Sequence, residues 1–349
     1  MTDTTNTWLQ FLEQQGAHFD DSGRVSGFGS AMPQGGLERG FVAPLTDTGL
    51  IAATGDDAAV FLHNQLTNDV EHLGTQEARL AGYCSPKGRL LATLLMWTHD
   101  GAIMLQLPKQ IQAAVQKRLQ MFVLRSKVKL ADVTADWAVL GLGGEAAGAA
   151  LAKWFPQIPA APFARTDSEN GSLVRLPDAF GQPRFQWNAP SAVAAAVWPE
   201  LIKTLSPAAT ALWRLTEIHA GLPLVVQATQ EQFVPQMINF ELIGGVNFKK
   251  GCYPGQEIVA RSQYLGKLKR RMLLASVDAE GVTSGTEVYW SGDPEQPCGM
   301  IVNAERNLDG GIDCLVETKM SAIEEGTIRL GSVSGAVLRF VQLPYPLPA

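Results

Sequence analysis

Long apolar runs are missing from this 349-residue chain, and none approaches the ~20 residues that a membrane-spanning helix needs. The longest, Leu90 to Trp97, contains a threonine and reads as a buried strand. Met1 to Thr7 carries neither a basic patch nor an apolar stretch, so no secretory signal is expected and a cytoplasmic location is. Charge is scarce as well. At 18% charged and 46% hydrophobic residues, the composition supplies ample core and excludes a disordered chain. The length is too great for one simple core, so two or three domains are expected. Only four cysteines occur (Cys84, Cys252, Cys298, Cys314), without paired metal-ligand spacing. Reduced thiols in a cytosolic protein are the simplest reading, with no stable metal.

What charge there is lies unevenly. The net charge is −6, yet Lys249 to Arg271 holds seven basic residues (Lys249, Lys250, Arg261, Lys267, Lys269, Arg270, Arg271) and one acid, Glu257. That window is +6, which leaves −12 for the remainder. A basic patch on an acidic protein suggests an anionic ligand or a negatively charged partner. The plainer alternative is a solvated helix and strand rim. An acidic whole argues against direct RNA binding, for which a domain-wide basic face is expected.

The most informative stretch runs from Phe248 to Arg261: Phe-Lys-Lys-Gly-Cys-Tyr-Pro-Gly-Gln-Glu-Ile-Val-Ala-Arg. Pro254 suits the first turn of a helix, where its missing N–H costs nothing. Ile258 and Val259 give that helix an apolar side, while Gln256 and Glu257 favour its electropositive start. Cys252 therefore stands just ahead of a helix N-terminus and beside Lys249 and Lys250, surroundings that favour a reactive thiol. Gly251 and Gly255 let the backbone come close to whatever the thiol faces. A buried cysteine in a Gly-rich turn is the bland alternative.

Elsewhere the pattern is mixed. Trp8, Phe11 and Leu12 have helical spacing, and Gly27 to Gly40 is expected to form a mobile arm. Phe61, Leu62 and Leu66 mark a helix whose end, His63 to Asp69, is crowded with polar groups. Strands at Leu80–Cys84 and Leu90–Thr98 flank the turn Ser85-Pro86-Lys87-Gly88. Ile111, Val115 and Leu119 mark another helix. Gly141 to Gly144 ahead of a helix at Glu145–Phe155 lacks the Walker lysine and full dinucleotide spacing, so it reads as a helix-entry turn. Helices interleaved with hairpins give an α+β fold rather than a doubly wound sheet. From Lys269 onward, short β-type runs divided by Gly, Pro and Asp predict a small antiparallel barrel.

The segments Phe233-Val234-Pro235-Gln236, Gly244-Gly245-Val246 and Phe248 to Glu257, with Ala260-Arg261 and Lys269-Arg270 behind, closely resemble the YgfZ family. These are folate-binding relatives of the glycine-cleavage T-protein (aminomethyltransferase), linked to iron–sulfur enzyme maintenance and to tRNA modification. The likeness extends more loosely from about Leu50 to Pro346. It implies the α+β aminomethyltransferase folate-binding fold with a C-terminal antiparallel β-barrel. The divisions expected are an N-terminal arm (1–44), a folate-binding region of two interleaved α+β domains (45–268) and the barrel (269–349).

The resemblance also implies a site. Cys252 would be its functional, catalytic thiol. Trp213, His219, Lys249, Lys250, Tyr253, Gln256, Glu257 and Arg261 would hold the cofactor, tetrahydrofolate or a derivative. Trp213 lies on a stretch resembling the helix that packs against folate, and an indole suits a flat pterin, although a core tryptophan on an amphipathic helix is the alternative. His219 departs from the family, where a glutamate usually stands and can accept two hydrogen bonds from the pterin edge. Of the five histidines, His219 is the one expected nearest Cys252. The partners implied are folate and iron–sulfur enzymes or their assembly proteins. Three function classes stay open: a folate-dependent accessory protein, an aminomethyl or one-carbon transferase, and an RNA- or protein-binding module using Tyr253 and Tyr264 for stacking.

Overall fold

Ile111, Val115 and Leu119 recur every fourth residue. In the computed structural model, which describes residues 7–29, 35–264 and 268–348, they line the buried side of the helix Lys109–Val123. The chain divides into two compact units. One runs to Ala58 and adds Leu73–Arg79 and Met96–Arg214; the other comprises Ala59–His72, Leu80–Leu95 and the chain from Leu215 onward.

The first unit is built on a six-stranded sheet. Its order is Arg165–Ser168, Gly171–Ala179, Gln182–Pro190, Trp137–Gly143, Phe41–Pro44 and Ser206–Pro207. Every pairing is antiparallel except the last. Helices Thr7–Gln14 and Ser191–Leu201 belong to its core, where Trp8, Leu12, Leu140, Trp187 and Trp198 are buried. Trp8 meets Trp198 edge-on at 6.1 Å, and Phe28 stacks on the same indole at 5.4 Å. Residues 7–29, expected as part of an arm, thus supply core, because three aromatic rings bury more apolar surface together than apart. The expected mobile segment Gly27 to Gly40 falls partly outside the described residues, and its described end forms the short helix Gly36–Arg39.

The run Gly141 to Gly144 ends a strand. Gly144 has φ +94°, and a Cβ there would stand 2.6 Å from the Gly40 Cα, so glycine is required at this close approach. The helix beyond it is Ala147–Leu151, shorter than the sequence pattern predicts. Strand Thr48–Thr54 pairs with Ala102–Pro108 on one side and Lys129–Asp132 on the other, all within this unit.

The second unit holds the antiparallel barrel domain expected from the C-terminal pattern, here a curled half-barrel. Its strand order is Ile328–Leu330, Glu287–Trp290, Gly299–Arg306, Ile312–Lys319, Arg270–Val277 and Arg339–Val341. Gly299 is dictated by packing, since a Cβ would fall 1.9 Å from the Glu317 carbonyl oxygen. A second cluster, with Phe233, Ile238, Phe240, Tyr253, Val259 and Met272, includes one residue of the loop that bears Cys252, Tyr253. Among the described residues no helix is long and apolar enough to cross a membrane.

Candidate functional site

The loop bearing Cys252 is fixed from both ends, all within the second unit. Thr67 Oγ1 donates to the Gly245 carbonyl at 2.6 Å and accepts from the Gly82 N–H at 2.7 Å. Asn68 Nδ2 donates to the Leu80 and Gly244 carbonyls, each at 2.7 Å. Within the polar crowd at His63 to Asp69, Thr67 and Asn68 are therefore structural, because the turn leading into the loop has carbonyls that need donors. On the far side lies the helix Gln256–Tyr264, held where Gln236 Nε2 donates to the Val259 carbonyl at 2.8 Å. Gly255 (φ +78°) and Gly88 (φ +70°) sit back to back: a Cβ on Gly255 would come within 2.5 Å of Gly88 backbone. The turn Lys87-Gly88-Arg89 thus seats the helix start.

Cys252 is exposed, and the other three cysteines are buried. Burial pushes the Cys84 and Cys314 thiols up to about 12, and raises Cys298 as well. Those three act as packing residues, with Cys298 Sγ and Cys314 Sγ donating to strand carbonyls.

Lys250 folds back instead of reaching out. Its Nζ donates to the His63 carbonyl at 2.5 Å and the Leu66 carbonyl at 3.0 Å, and lies 4.8 Å from the centre of the Tyr253 ring. Burial lowers the ammonium pKa to about 8, against the opposing charges of Asp69, Cys252 and Glu71. Tyr253 is itself buried, which raises its phenol.

The histidine at this loop is His63, not His219. A Cβ on Gly251, next to Cys252, would stand 3.6 Å from His63 Nε2. His63 Nδ1 lies 3.1 Å from Asp69 Oδ1 and 3.5 Å from Glu71 Oε2. Burial pushes the Asp69 carboxyl up, but the His72 N–H, the His72 ring and the His63 charge outweigh it and hold it below the usual range. An ionised Asp69 can only accept, so the tautomer assigned to neutral His63 carries its proton on Nδ1. Nε2 is then an acceptor directed at the backbone beside the thiol. His63, Asp69 and Lys250 thus gather at the backbone that carries Cys252.

The +6 window shrinks on inspection. Arg270 pairs with Glu317 and Arg271 with Glu241, Lys250 is committed to carbonyls, and Lys267 lies outside the described residues. Lys249, Arg261 and Lys269 are exposed and, among the described residues, form no ion pair. Glu257 is exposed and Gln256 half-buried at the helix start.

In the first unit, Trp213 is fully buried. The Arg184 guanidinium lies 4.3 Å from its ring centre, and a Cβ on Gly141 would come 2.4 Å from the indole. His219, in the second unit, holds Asp313 Oδ2 at 2.7 Å through Nε2. Asp313 also accepts from Ser276 Oγ at 2.6 Å and Asn307 Nδ2 at 2.9 Å. Burial raises Asp313, but these hydrogen bonds prevail and lower it.

Sequence reading missed a row of buried amides in the first unit. Gln106 and Gln186 exchange hydrogen bonds at 2.9 and 2.7 Å, and Gln186 Nε2 donates to Asn188 Oδ1 at 3.0 Å. Asn188 Nδ2 and Trp97 Nε1 are buried without a hydrogen-bond partner among the described residues. Arg184, Gln186 and Asn188 alternate along one strand, so they share a face. That alternation of polar residues was the available signal. It was masked by Phe185, Trp187 and Ala189, which are buried on the opposite face.

Among the described residues no group of three His, Cys, Asp or Glu side chains is placed to hold a metal ion. No family model matches the chain. Its fold is that of the glycine cleavage system aminomethyltransferase T from Bartonella henselae, with TM-score 0.78 at 15% identity, covering 96% of this chain and 95% of that one. The "tRNA-modifying protein YgfZ" of Cronobacter sakazakii is 31% identical over 314 residues, 87% of this chain and 92% of its own. The protein of the same name from Photorhabdus laumondii is 30% identical over 307 residues, again 87% and 92%. The chain belongs to the YgfZ family.

Proposed function

We propose that this protein is a folate-binding accessory protein of iron–sulfur enzyme maintenance that thereby supports tRNA modification, and that it acts through the thiol of Cys252. The observation that carries the reading is the Cys252 loop: an exposed thiol, the only one of four, next to Lys250 and the His63–Asp69 pair. The tRNA-modification part rests on the relatives' name, and the iron–sulfur part on the family resemblance.

The residues present fit a reduced folate. A pterin edge carries an amide and an amino group, which match carboxamides such as Gln106, Gln186 and Asn188. Asn188 Nδ2 and Trp97 Nε1, buried and lacking a protein acceptor, are donors that a ligand carbonyl or ring nitrogen would satisfy. Trp213 contributes as the wall of that polar face, with Arg184 against its ring. In the second unit, Lys249 and Arg261 are exposed cations suited by themselves to an anionic group, with Gln256 and Glu257 at the helix start. His219 serves by fixing Asp313. Tyr253 serves as the platform under Lys250. A bound folate supplies one-carbon carrying capacity.

Isothermal titration with tetrahydrofolate tests this reading. Binding is expected in the wild type and loss of about ten- to a hundredfold in affinity in Asn188→Leu, the cost of one unmatched hydrogen bond to the ligand. No heat at millimolar folate in the wild type would reject the folate assignment.

A further inference from the structure

Far from the cysteine loop in sequence, the helix Lys109–Val123 ends in an unusual surface. Met121, Phe122 and Leu124 are all exposed, Leu124 at 86%. Leu124 also has φ +47°, a left-handed backbone that a branched side chain adopts at a cost. Exposure of three large apolar side chains and retained backbone strain at one tip call for a reason beyond folding.

Lys117 to Lys129 contains five cations (Lys117, Arg118, Arg125, Lys127, Lys129) and no acid. Lys127 is used internally, its Nζ 3.1 Å from Asp56 Oδ2. The other four form no ion pair among the described residues. The tip is firmly mounted. The Lys127 N–H donates to Asp57 Oδ2 at 2.7 Å, the Ser126 N–H donates to the Val123 carbonyl at 2.8 Å, and a Cβ on Gly55 would fall 2.1 Å from the Lys127 carbonyl oxygen. Phe122, Leu124, Arg125 and Ser126 line an open depression there, together with Asp57, whose Oδ2 is taken up by the Lys127 N–H.

We propose that this tip is an RNA-binding surface, on which Phe122 and Leu124 meet unstacked bases while Lys117, Arg118, Arg125 and Lys129 meet phosphates. Two features favour RNA over a protein partner. The stretch Lys117 to Lys129 carries five cations and no acid, the one-sided charge that suits a polyanion. A projecting aliphatic or aromatic side chain flanked by arginine is also the arrangement that wedges between bases. The inference is independent of the folate and thiol reading, because none of its residues belongs to those sites.

Fluorescence anisotropy of a labelled RNA stem–loop against the full chain tests it. Binding is expected to be salt-dependent, and the triple variant K117Q/R125Q/K129Q should flatten the logarithmic salt slope by about 2. Phe122→Ala should weaken binding by roughly five- to a hundredfold. Leu124→Gly should weaken it too while leaving the melting temperature unchanged or higher, since glycine relieves the positive φ. Absence of RNA binding, or affinity and salt slope unchanged in all three variants, overturns the proposal. So does loss, in the same variants, of cross-linking to an acidic protein while RNA binding persists, which would make the tip a protein interface.

Discussion

Two cation-rich stretches of this chain look alike on paper and differ in space. Lys249 to Arg271 holds seven basic residues, Lys117 to Lys129 five. In the first, Arg270 and Arg271 are bound to buried glutamate side chains and Lys250 to helix-end carbonyls, so half of its six described cations are taken up inside the protein. In the second, one cation of five is paired, Arg118 is half-buried, and Lys117, Arg125 and Lys129 are exposed, as are Met121, Phe122 and Leu124. A count of charges therefore says little about a surface until the internal partners are known. Carboxylates far away in sequence decide which lysines and arginines remain for a ligand.

The sharpest way to break that contrast is Arg271→Met. The Glu241 side chain is buried, and its carboxyl is already raised by burial despite Arg271, so removing the guanidinium strands a buried acid. A loss of about 3–5 kcal/mol in urea unfolding is expected at neutral pH. A loss below ~1 kcal/mol would mean that the pair is as dispensable as a surface bridge.

His219→Glu extends the test to the departure from the family. The sequence alone suggests that restoring glutamate would tighten folate binding. With Asp313 2.7 Å from His219 Nε2, the variant would instead set two carboxylates against each other. Thermal unfolding should register the loss of one charged hydrogen bond, about 1.5–3 kcal/mol, and no gain in folate affinity is expected. Tighter folate binding with unchanged stability would show that Asp313 is not the residue that dictates histidine here.

How far the sequence reached follows from range. The helix Lys109–Val123, the C-terminal antiparallel strands and the helix start after Pro254 carry local signals, namely periodicity, turn residues and a proline at a helix N-terminus. The family resemblance named the fold, and the Bartonella henselae structure bears it out. What stayed hidden depends on distant partners. His63 meets the Gly251 backbone, Gly88 meets Gly255, His219 meets Asp313, and Gln106 meets Gln186. None of these pairs leaves a mark within a short window, because only folding brings them together. The N-terminal helix shows the same limit: the spacing of Trp8, Phe11 and Leu12 marks it, but nothing nearby marks its seat against Trp198.

Smallest in stability, and largest in what it separates, is the neutral pair K249Q/R261Q. Both side chains are exposed, so unfolding free energy should move by less than ~0.5 kcal/mol. Binding of an anionic ligand should weaken, and its salt dependence should flatten. Unchanged affinity and salt slope would assign both residues to the solvated rim.

The central claim, a surface thiol served by Lys250 and His63, is tested most directly by iodoacetamide labelling of the native protein with peptide mapping. Cys252 should label first, while buried Cys84, Cys298 and Cys314 wait for unfolding. Lys250→Met and His63→Gln should each slow Cys252 labelling at about pH 7 several-fold, beyond what exposure alone explains. Lys250 is charged below its pKa of about 8 and neutral above it, so its advantage should be full near neutrality and fade as pH rises through that value. Equal rates at Cys252 in the wild type and both variants across that range would contradict the account, leaving Cys252 as an exposed cysteine and nothing more.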